Sequence, residues 1–510
     1  MDYQEYFQKA TGHKPFPYQI ALVEELPAFL AVPTGAGKTD AVIVSWLYKR
    51  RILNENLPRR LVYCLPMRTL VEQTYEKTCE ILTRLGYGDI PVHVVMGGEK
   101  EEEWYLDPAV EQIIIGTQDM LISRALNRGY AVSRFQWPIH FGLLNNDCFW
   151  IFDELQLMGS TVATSAQLEA LRKEFGTLKS CQTLWMSATL EKDWLATVDH
   201  KKYLSQSSVI QLSSEDKENH VLEKRMNAGK TLFQLDEKKP KDVARRIVAE
   251  HQKGNLTLVI VNQVKRAVDL YKEIEKIVDN EVEIVLIHSR FRPIERKMLM
   301  EKLNNLKDGI IISTQVVEAG VDISSRILFT DLAPYPSLVQ RFGRLNRYGE
   351  FEDSKAYWIN LENKDMSPYT PEEMDIARNE LVKLEGKSIA PNDLPKLKLN
   401  LDYNFVIRKN ELMELYDTSS DLFGADLDVS RFIRETDDLR VQVFWRDFND
   451  KPDSDISAPS RDELCPASIS EFRDFMEEKR VFVWEPIDKK WQFLHQRRLR
   501  PGLVILANAE

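Results

Sequence analysis

PTGAGKT, residues Pro33–Thr39, follows a short apolar run and precedes a stretch with helical periodicity. Gly35 and Gly37 allow the backbone to curl so that successive amides and the helix N-terminus face an anion. We therefore expect Lys38 to reach the β- and γ-phosphates of a nucleotide and the Thr39 hydroxyl to ligate Mg²⁺. The strict pattern asks for glycine one residue before the stretch, where this chain has valine, so a plain glycine-rich turn is the alternative. The stretch predicts a phosphate-binding loop between a strand and a helix.

The surrounding sequence alternates short apolar runs with amphipathic stretches from Ala28 to about Asn346. This alternation is typical of βαβ units and predicts an α/β fold with two tandem domains built on parallel sheets. Strands are expected at Phe29–Val32, Leu61–Leu65, Val92–Val95, Ile113–Ile115, Cys148–Phe152, Thr183–Met186, Thr257–Val261, Ile284–Ile287, Gly309–Ile312 and Ile327–Thr330. The predicted domains are residues 1–205 and 241–362, joined by a charged linker, 206–240, and followed by a C-terminal accessory region, 363–510.

Composition narrows the class of protein further. A chain of 510 residues exceeds what one hydrophobic core usually serves, and 43% hydrophobic with 29% charged residues is ordinary for a globular protein. The longest apolar runs are too short to span a bilayer and the N-terminus lacks signal-peptide character, so we expect a cytoplasmic protein with no membrane partner. The five cysteines lack paired metal-ligand spacing and are interpreted as reduced core residues.

The formal net charge of -11 argues against a protein that coats DNA through bulk positive charge. It does not exclude a motor, because such machines contact phosphates in a local groove through amides, hydroxyls and a few arginines.

A second chemical element is the apolar run Cys148–Phe152, which ends in Asp153 and Glu154. Carboxylates at the C-terminal edge of a parallel sheet lie where ligands bind in such folds. Asp153 is expected to hold Mg²⁺ through water, and Glu154 to accept a proton from an attacking water. A strand followed by a solvated acidic turn is the alternative, which the preceding phosphate loop makes less favourable.

These elements and several others resemble the ordered motifs of superfamily 2 helicases. The matching stretches are PTGAGKT, LPMRTL (Leu65–Leu70), IIIGTQDML (Ile113–Leu121), FDELQ (Phe152–Gln156), MSATL (Met186–Leu190), STQVVEAGVDIS (Ser313–Ser324) and QRFGRLNR (Gln340–Arg347). The resemblance covers roughly Phe16 to Asn346. It implies two RecA-like domains that hydrolyse ATP at their interface and move along, or separate, nucleic-acid strands.

The resemblance also implies roles for individual residues. Gln19, in a stretch similar to the adenine-contacting Q motif, can offer a donor and an acceptor to a base edge. Asp322 is expected at the ribose hydroxyl, and Gln340, Arg344 and Arg347 at the catalytic centre, the two arginines as arginine fingers. An exposed basic helix face is the alternative for these arginines. The implied nucleotide-binding set consists of Gln19, Pro33, Thr34, Gly35, Ala36, Gly37, Lys38, Thr39 and Asp322.

Further positions are implied for the nucleic acid and for coupling. Short polar side chains and amides at strand ends suit phosphate contacts that ignore sequence. The implied contacts are Arg68, Thr69, Thr117 and Gln118 in the first domain and Asn262, Ser289, Arg290 and Thr314 in the second. Ser187 and Thr189 are candidates for coupling the carboxylates to domain closure. Turn residues or helix caps are the alternatives for these positions.

Within the superfamily, FDELQLMG (Phe152–Gly159), HSRF (His288–Phe291) and the long VVEAGVDIS motif look like the helicase of type I CRISPR interference. Glu411–Arg434, followed by VQVFWR, resembles the subtype G, formerly U, branch. The resemblance implies 3′ to 5′ movement on single-stranded DNA with ATP and Mg²⁺, after recruitment by a surveillance complex that carries guide RNA.

One departure concerns the HD nuclease that this family usually carries. Clustered His and Asp ligands would be needed to hold its metals, and the eight histidines here are dispersed with no His-Asp dipeptide. We predict no nuclease activity from this polypeptide. The prediction leaves two alternatives for a nuclease: a separate protein or a removed module.

The C-terminal aromatics Phe444, Trp445, Trp484 and Trp491 are interpreted as the core of a small domain, with stacking on bases as the alternative. Two competing functions also stay open. One is an RNA helicase or remodelling ATPase, and the other is a nucleotide-gated binding subunit with little turnover. The joint presence of Lys38, the acidic pair and both arginines argues against the second, since an inactive subunit has no chemical need for all of them.

Overall fold

The computed structural model describes the chain except residues 34, 98–102, 131, 189–190, 206, 280, 319–320, 362–368, 396, 398–402, 404, 418–426, 435–439, 454, 458, 486–489, 500–502 and 510. The described residues divide into two units. The first comprises Met1–Ala228, Arg347–Glu350 and Ile389–Glu435, and the second comprises Gly229–Asn346, Phe351–Ser388 and Thr436–Glu510.

The first unit is built on a parallel seven-stranded sheet in the order β3-β4-β2-β5-β6-β1-β7. Its strands are β1 (Phe29–Ala31), β2 (Arg60–Leu65), β3 (Val92–Val95), β4 (Gln112–Thr117), β5 (Cys148–Phe152), β6 (Gln182–Ser187) and β7 (Val209–Gln211). Its helices are α1 (Tyr3–Thr11), α2 (Pro17–Glu24), α3 (Lys38–Arg51), α4 (Arg68–Leu85), α5 (Gln118–Ala125), α6 (Trp137–Leu144), α7 (Thr161–Phe175), α8 (Lys201–Leu204), α9 (Ser214–Glu218) and α10 (His220–Met226).

The central strands are continuous apolar runs because helices cover both faces of the sheet. Every residue of β2, β4 and β5 is buried. Alternate side chains enter two separate cores: Leu61 and Ile151 pack with α1 and α3 on one face, whereas Val62 and Trp150 pack with α5 and α7 on the other. Burial on both faces is the normal condition of strands in parallel sheets.

The second unit contains a parallel six-stranded sheet in the order β10-β11-β9-β12-β13-β8. Its strands are β8 (Lys230–Leu235), β9 (Leu256–Ile260), β10 (Ile284–Ile287), β11 (Gly309–Ser313), β12 (Ile327–Asp331) and β13 (Ser354–Ile359). Its helices are α11 (Pro240–Glu250), α12 (Val264–Glu275), α13 (Pro293–Asn305), α14 (Tyr335–Phe342) and α15 (Pro371–Lys383). The expected α/β class with two RecA-like domains on parallel sheets is confirmed.

The predicted linker, residues 206–240, contains regular structure. β7 forms one edge of the first sheet and β8 forms one edge of the second, with α9 and α10 between them. Both strands are only partly buried, and edge strands lack the apolar run that marks a central strand. The charged composition of this stretch therefore concealed two strands.

The predicted accessory region, 363–510, is divided between the units. α16 (Lys409–Glu414) and its flanks belong to the first unit, where Gln167 Nε2 donates to Ile407 O at 2.7 Å and Asn127 Nδ2 donates to Leu415 O at 2.6 Å. Ile407 and Leu415 are fully buried. Apolar burial against α7 thus draws this segment onto the first unit.

The last part of the chain forms a third sheet within the second unit. β14 (Arg440–Arg446), β15 (Cys465–Ser468), β16 (Val481–Glu485), β17 (Lys490–Phe493) and β18 (Val504–Asn508) pair in the order β15-β14-β18-β16-β17, with α17 (Ile469–Glu478) beside them. Phe444 is fully buried, and Trp484 is 37% exposed against the edge of Trp491. Trp445 and Trp491 are partly buried against the cores of this sheet, so packing in a core accounts for three of the four aromatic residues. Across the described ranges, every helix is too short or too polar to serve as a membrane span.

Candidate nucleotide site and nucleic-acid edge

The loop between β1 and α3 has the backbone that its glycines predict. Gly35 and Gly37 have φ of 80° and 83°, in the left-handed region that favours glycine, and Gly37 caps α3. A Cβ on Gly37 would lie 2.9 Å from Gln19 Nε2. Pro33 and Ala36 also lie in this loop, while Thr34 lies outside the described residues. The loop and the N-terminus of α3 therefore form an anion-binding geometry.

Lys38 is the first residue of α3 and is 94% buried. Its ammonium donates to Val32 O at 3.1 Å and lies 3.8 Å from Glu154 Oε1. A buried cation held mainly by one carbonyl and one carboxylate is placed to meet an anionic phosphate, because burial weakens the screening of its charge.

The acidic pair lies at the carboxyl end of β5. Tyr63 Oη donates to Asp153 Oδ2 at 2.8 Å and lies 3.4 Å from Thr39 Oγ1, so one phenol joins the two predicted metal ligands. Burial, reinforced by the neighbouring Glu154 charge, raises the pKa of Asp153 to about 6. Hydroxyl and carboxylate oxygens are the donors that Mg²⁺ prefers, so this donor set fits the predicted metal.

Gln19 on α2 is 98% buried, and both ends of its amide are used within the protein. Its Oε1 accepts from Phe16 N at 2.9 Å, and its Nε2 donates to Gly37 O at 3.1 Å and to Tyr18 Oη at 3.2 Å. Gln19 thus supports the phosphate loop directly. The predicted contact with adenine stays a prediction.

A hydrogen-bonded chain links Glu154 to the end of β6. Gln156 Nε2 donates to Glu154 Oε2 at 2.6 Å, and Ser187 Oγ donates to Gln156 Oε1 at 2.7 Å. Ser187 is fully buried. The amide of Gln156 therefore connects the predicted coupling residue Ser187 to the predicted base, while Thr189 lies outside the described residues.

The first-unit candidates for nucleic-acid contact gather at one sheet edge. Leu65 at the end of β2 pairs with Thr117 at the end of β4, so Arg68 and Gln118, which follow these strands, share the carboxyl edge. Arg68 is exposed. Thr69, Thr117 and Gln118 are each more than 90% buried.

The second-unit candidates also follow adjacent strands. Ile287 pairs with Ser313, and Ser313 pairs with Ile260, which brings the ends of β10, β11 and β9 together. Ser289 is exposed and Arg290 is partly buried, whereas Asn262 and Thr314 are buried. The edge therefore presents Ser289 and Arg290 more openly than the other two candidates.

The Asn262 side chain has an internal role that the sequence did not predict. Its Oδ1 accepts from Arg341 at 3.0 Å, and its Nδ2 donates to Leu332 O at 2.7 Å. The fully buried Arg341 also donates to Glu318 and to Thr330 Oγ1, at 2.7 and 2.8 Å. Asn262 therefore belongs to a buried polar network centred on Arg341.

The predicted arginine finger Arg344 adjoins this network. Its Nη2 donates to Glu318 O at 2.9 Å. Burial raises the pKa of Glu318, and the Arg341 guanidinium opposes that shift. In the same unit Gln340 is 96% buried and Asp322 is exposed. Glu318 thus contacts both arginines: its carboxylate accepts from Arg341, and its backbone carbonyl accepts from Arg344.

The second predicted finger, Arg347, groups with the first unit. Its Nη2 lies 3.8 Å from the position that a Cβ on Gly35 would take. The Arg347 guanidinium is therefore beside the phosphate loop, and its role as an arginine finger stays a prediction.

Sequence analysis assigned no role to three residues of these sites: Gln156, Arg341 and Tyr63. Gln156 and Arg341 lie inside quoted motifs, FDELQ and QRFGRLNR, and their polar character was the available signal. Tyr63 lies within an apolar run, and only the pairing of β2 with β5 shows that its hydroxyl reaches Asp153.

A nuclease-type metal site would need several clustered His and Asp ligands. Over the ranges described above, no group of three or more His, Cys, Asp or Glu residues could hold a metal ion. The absence of nuclease activity stays a prediction.

Comparison with known proteins gives two family matches. Residues 17–198 match the DEAD/DEAH box helicase family, and residues 253–350 match the C-terminal part of the CRISPR-associated nuclease/helicase Cas3. The CRISPR-associated nuclease/helicase Cas3 of Methanothermobacter thermautotrophicus is 23% identical over 464 residues, which cover 83% of this chain and 52% of the relative. The chain therefore spans about half the length of that protein.

Solved structures share the fold. T. fusca Cas3 with AMPPNP has a TM-score of 0.64 at 14% identity and covers 99% of this chain and 69% of its own. The helicase MrfA bound to DNA has a TM-score of 0.59 at 14% identity, with the same coverages of 99% and 69%. The phosphate loop, the acidic pair and both family matches stand in their expected order, and the chain is a Cas3-like helicase by similarity along most of its length.

Proposed function

We propose that this chain is an ATP-driven motor that moves 3′ to 5′ on single-stranded DNA and unwinds target DNA in type I CRISPR interference. The observation that carries the proposal is the neighbourhood of Lys38, Asp153 and Glu154 beside a phosphate loop with anion-binding geometry. A binding subunit without turnover has no chemical use for a carboxylate beside the phosphate-binding cation.

The residues divide the chemistry of hydrolysis between them. Lys38 and the loop amides hold the phosphates, and Glu154 accepts a proton from the attacking water. Mg²⁺ held by Thr39 and Asp153 would offset charge on the phosphate oxygens. Arg344 and Arg347 supply positive charge to the transition state, Gln340 lies in the same motif, and Gln19 and Asp322 contact the adenine and ribose.

Coupling to the nucleic acid follows from the hydrogen-bonded chain at the acidic pair. Movement of Ser187 on nucleic-acid binding or domain closure would shift Glu154 through the two hydrogen bonds of Gln156. A ligand that contacts both lobes favours the closed arrangement, so alternate closing and opening around ATP gives stepping.

The track is proposed at the carboxyl edges of the two sheets. Arg68, Ser289 and Arg290 are the more accessible of the candidates there, and their chemistry suits contacts to phosphates irrespective of base sequence. Affinity for the strand should weaken with salt, because each neutralised phosphate releases counterions. Single-stranded DNA is the proposed polymer because the chain is similar to Cas3 proteins and shares its fold with a DNA-bound helicase.

The partners are proposed from the same family relationship. A surveillance complex with guide RNA would recruit the motor to its target, in a subtype G system of the cytoplasm. A nuclease carried on a separate protein would complete degradation.

The test is ATP hydrolysis titrated in parallel with single-stranded DNA, RNA and duplex DNA of matched length. We expect single-stranded DNA to give the largest stimulation. Equal or greater stimulation by RNA would remove the DNA assignment, and basal turnover unchanged by any of the three polymers would remove the motor.

A further inference from the structure

The hairpin of α9 and α10 makes two polar contacts with the nucleotide loops of the first unit. Asp216 on α9 is fully buried, and its Oδ1 accepts from Tyr18 N at 3.0 Å. Arg225 on α10 donates from Nη1 to Gly35 O at 2.6 Å. These contacts join residues 198 and 190 positions apart in the sequence, so a segment predicted as linker is fixed on the phosphate loop.

Arg225 completes a series of donors along the loop. Three successive carbonyls accept from different side chains: Gly35 O from Arg225 at 2.6 Å, Ala36 O from Tyr18 Oη at 2.7 Å, and Gly37 O from Gln19 Nε2 at 3.1 Å. Tyr18 and Gln19 lie on α2, and the backbone of Tyr18 is in turn held by Asp216.

Anchored carbonyls determine where the loop amides point. In a planar trans peptide the C=O and the following N–H have opposite directions. Holding Gly35 O, Ala36 O and Gly37 O outward therefore fixes the directions of the next three N–H groups, which are those of Ala36, Gly37 and Lys38. Successive amides with fixed directions are what an anion-binding loop requires.

The position of α10 is itself well determined. Leu222 and Met226, on the same helix, are 99% and 92% buried, and Leu222 belongs to the core beneath α2 and α3. The Arg225 guanidinium also lies over the ring of Tyr348, 5.2 Å from its centroid. This packing already restricts the Arg225 side chain, so less conformational entropy is lost when Arg225 hydrogen-bonds to the loop.

We propose that Arg225 is a positioning residue that preorganises the phosphate loop for a nucleoside triphosphate. The proposal rests on the proposed function of this loop as a nucleotide site. Because the contact is present before phosphate binds, its loss lowers affinity for nucleotide rather than the rate of the bound complex.

The experiment compares Arg225→Met with Arg225→Lys and with the matched control Lys224→Met in the full chain. Lys224 is exposed on the same helix, so both methionine variants lose one positive charge. We expect Arg225→Met to raise the Kd for a fluorescent ATP analogue and the KM for ATP about tenfold, as loss of one charge-assisted hydrogen bond predicts, with kcat unchanged. Arg225→Lys should recover part of the affinity, and Lys224→Met should match the wild type.

Hydrogen exchange gives a second readout without nucleotide. Arg225→Met should speed deuterium uptake in a peptide that spans the phosphate loop, while Lys224→Met should not. Unchanged Kd and uptake in Arg225→Met, or a loss of kcat at constant KM, would overturn the positioning role. Failure of the wild-type chain to bind nucleotide would instead remove the proposed function, so the two failures are distinguishable.

Discussion

Lys38 Nζ lies 3.8 Å from Glu154 Oε1, which makes the predicted phosphate-binding cation and the predicted general base direct neighbours. The two residues come from α3 and from the end of β5, more than a hundred positions apart in sequence. Parallel packing of β1 and β5 within one sheet brings the loops that follow them to the same edge.

Substitutions of Lys38 and Glu154 should affect nucleotide binding and ATP hydrolysis differently. Lys38→Ala should lose both nucleotide binding and hydrolysis, because it removes the buried cation that lies beside Glu154 at the start of α3. Glu154→Gln should retain binding while hydrolysis falls by about 10²-fold or more, the usual contribution of a general base. Nucleotide binding, ATP hydrolysis and circular dichroism would be measured on the same preparations. Turnover near the wild-type rate in either folded variant would contradict these roles.

Gln156 should transmit nucleic-acid binding to the ATP site. Gln156→Leu breaks both hydrogen bonds between Ser187 and Glu154, and we expect basal hydrolysis to persist while stimulation by single-stranded DNA falls by about fivefold or more. Ser187→Ala should have the same effect, and a Gln156→Leu, Ser187→Ala double variant should add little to it. Additive losses would show that the two residues act separately.

Burial leaves a strong apolar signal in most of the central strands, although the interior strand β13 was not predicted. Cys148–Phe152 is predicted and observed with the same bounds. The edge strands Val209–Gln211 and Lys230–Leu235 are missed, since half-exposed strands tolerate charged residues and resemble a linker. Tertiary contact, rather than local pattern, also decides that residues 389–435 join the first unit.

The candidate site likewise combines features that the sequence predicts with features that it does not predict. The phosphate loop and acidic pair are predictable because their chemistry demands certain residue types at short spacing. Contacts across the sheet, such as Tyr63 with Asp153, depend on strand order, which local sequence does not encode. The Asn262 side chain also accepts a hydrogen bond from Arg341, because a buried guanidinium needs acceptors, and its contact with nucleic acid stays a prediction.

Arg341 should matter mainly for the stability of the second unit. Arg341→Met leaves the fully buried Glu318 without its cationic partner, which typically costs about 3–5 kcal/mol in the free energy of unfolding. Arg326→Met is the matched control, because Arg326 pairs with the largely exposed Asp353 and such pairs contribute at most about 1 kcal/mol. Urea unfolding would be followed for both variants. Equal losses in the two would argue against a buried network centred on Arg341.

The chain is expected not to cut DNA. Its eight histidines are dispersed along the sequence, and none is followed by aspartate. Purified protein supplied with Mg²⁺, Mn²⁺, Co²⁺ or Ni²⁺ would be incubated with circular single-stranded DNA. Cleavage that follows the protein peak through repurification would contradict this prediction.

Arg344 offers the most direct test of the proposed ATP-driven motor. The measurement is ATP hydrolysis by Arg344→Ala in saturating single-stranded DNA, with the affinity for a fluorescent nucleotide determined in parallel. We predict that kcat falls by about 10³-fold, as for other arginine fingers, while nucleotide affinity stays within about threefold of the wild type. Hydrolysis at the wild-type rate by the folded variant would contradict it.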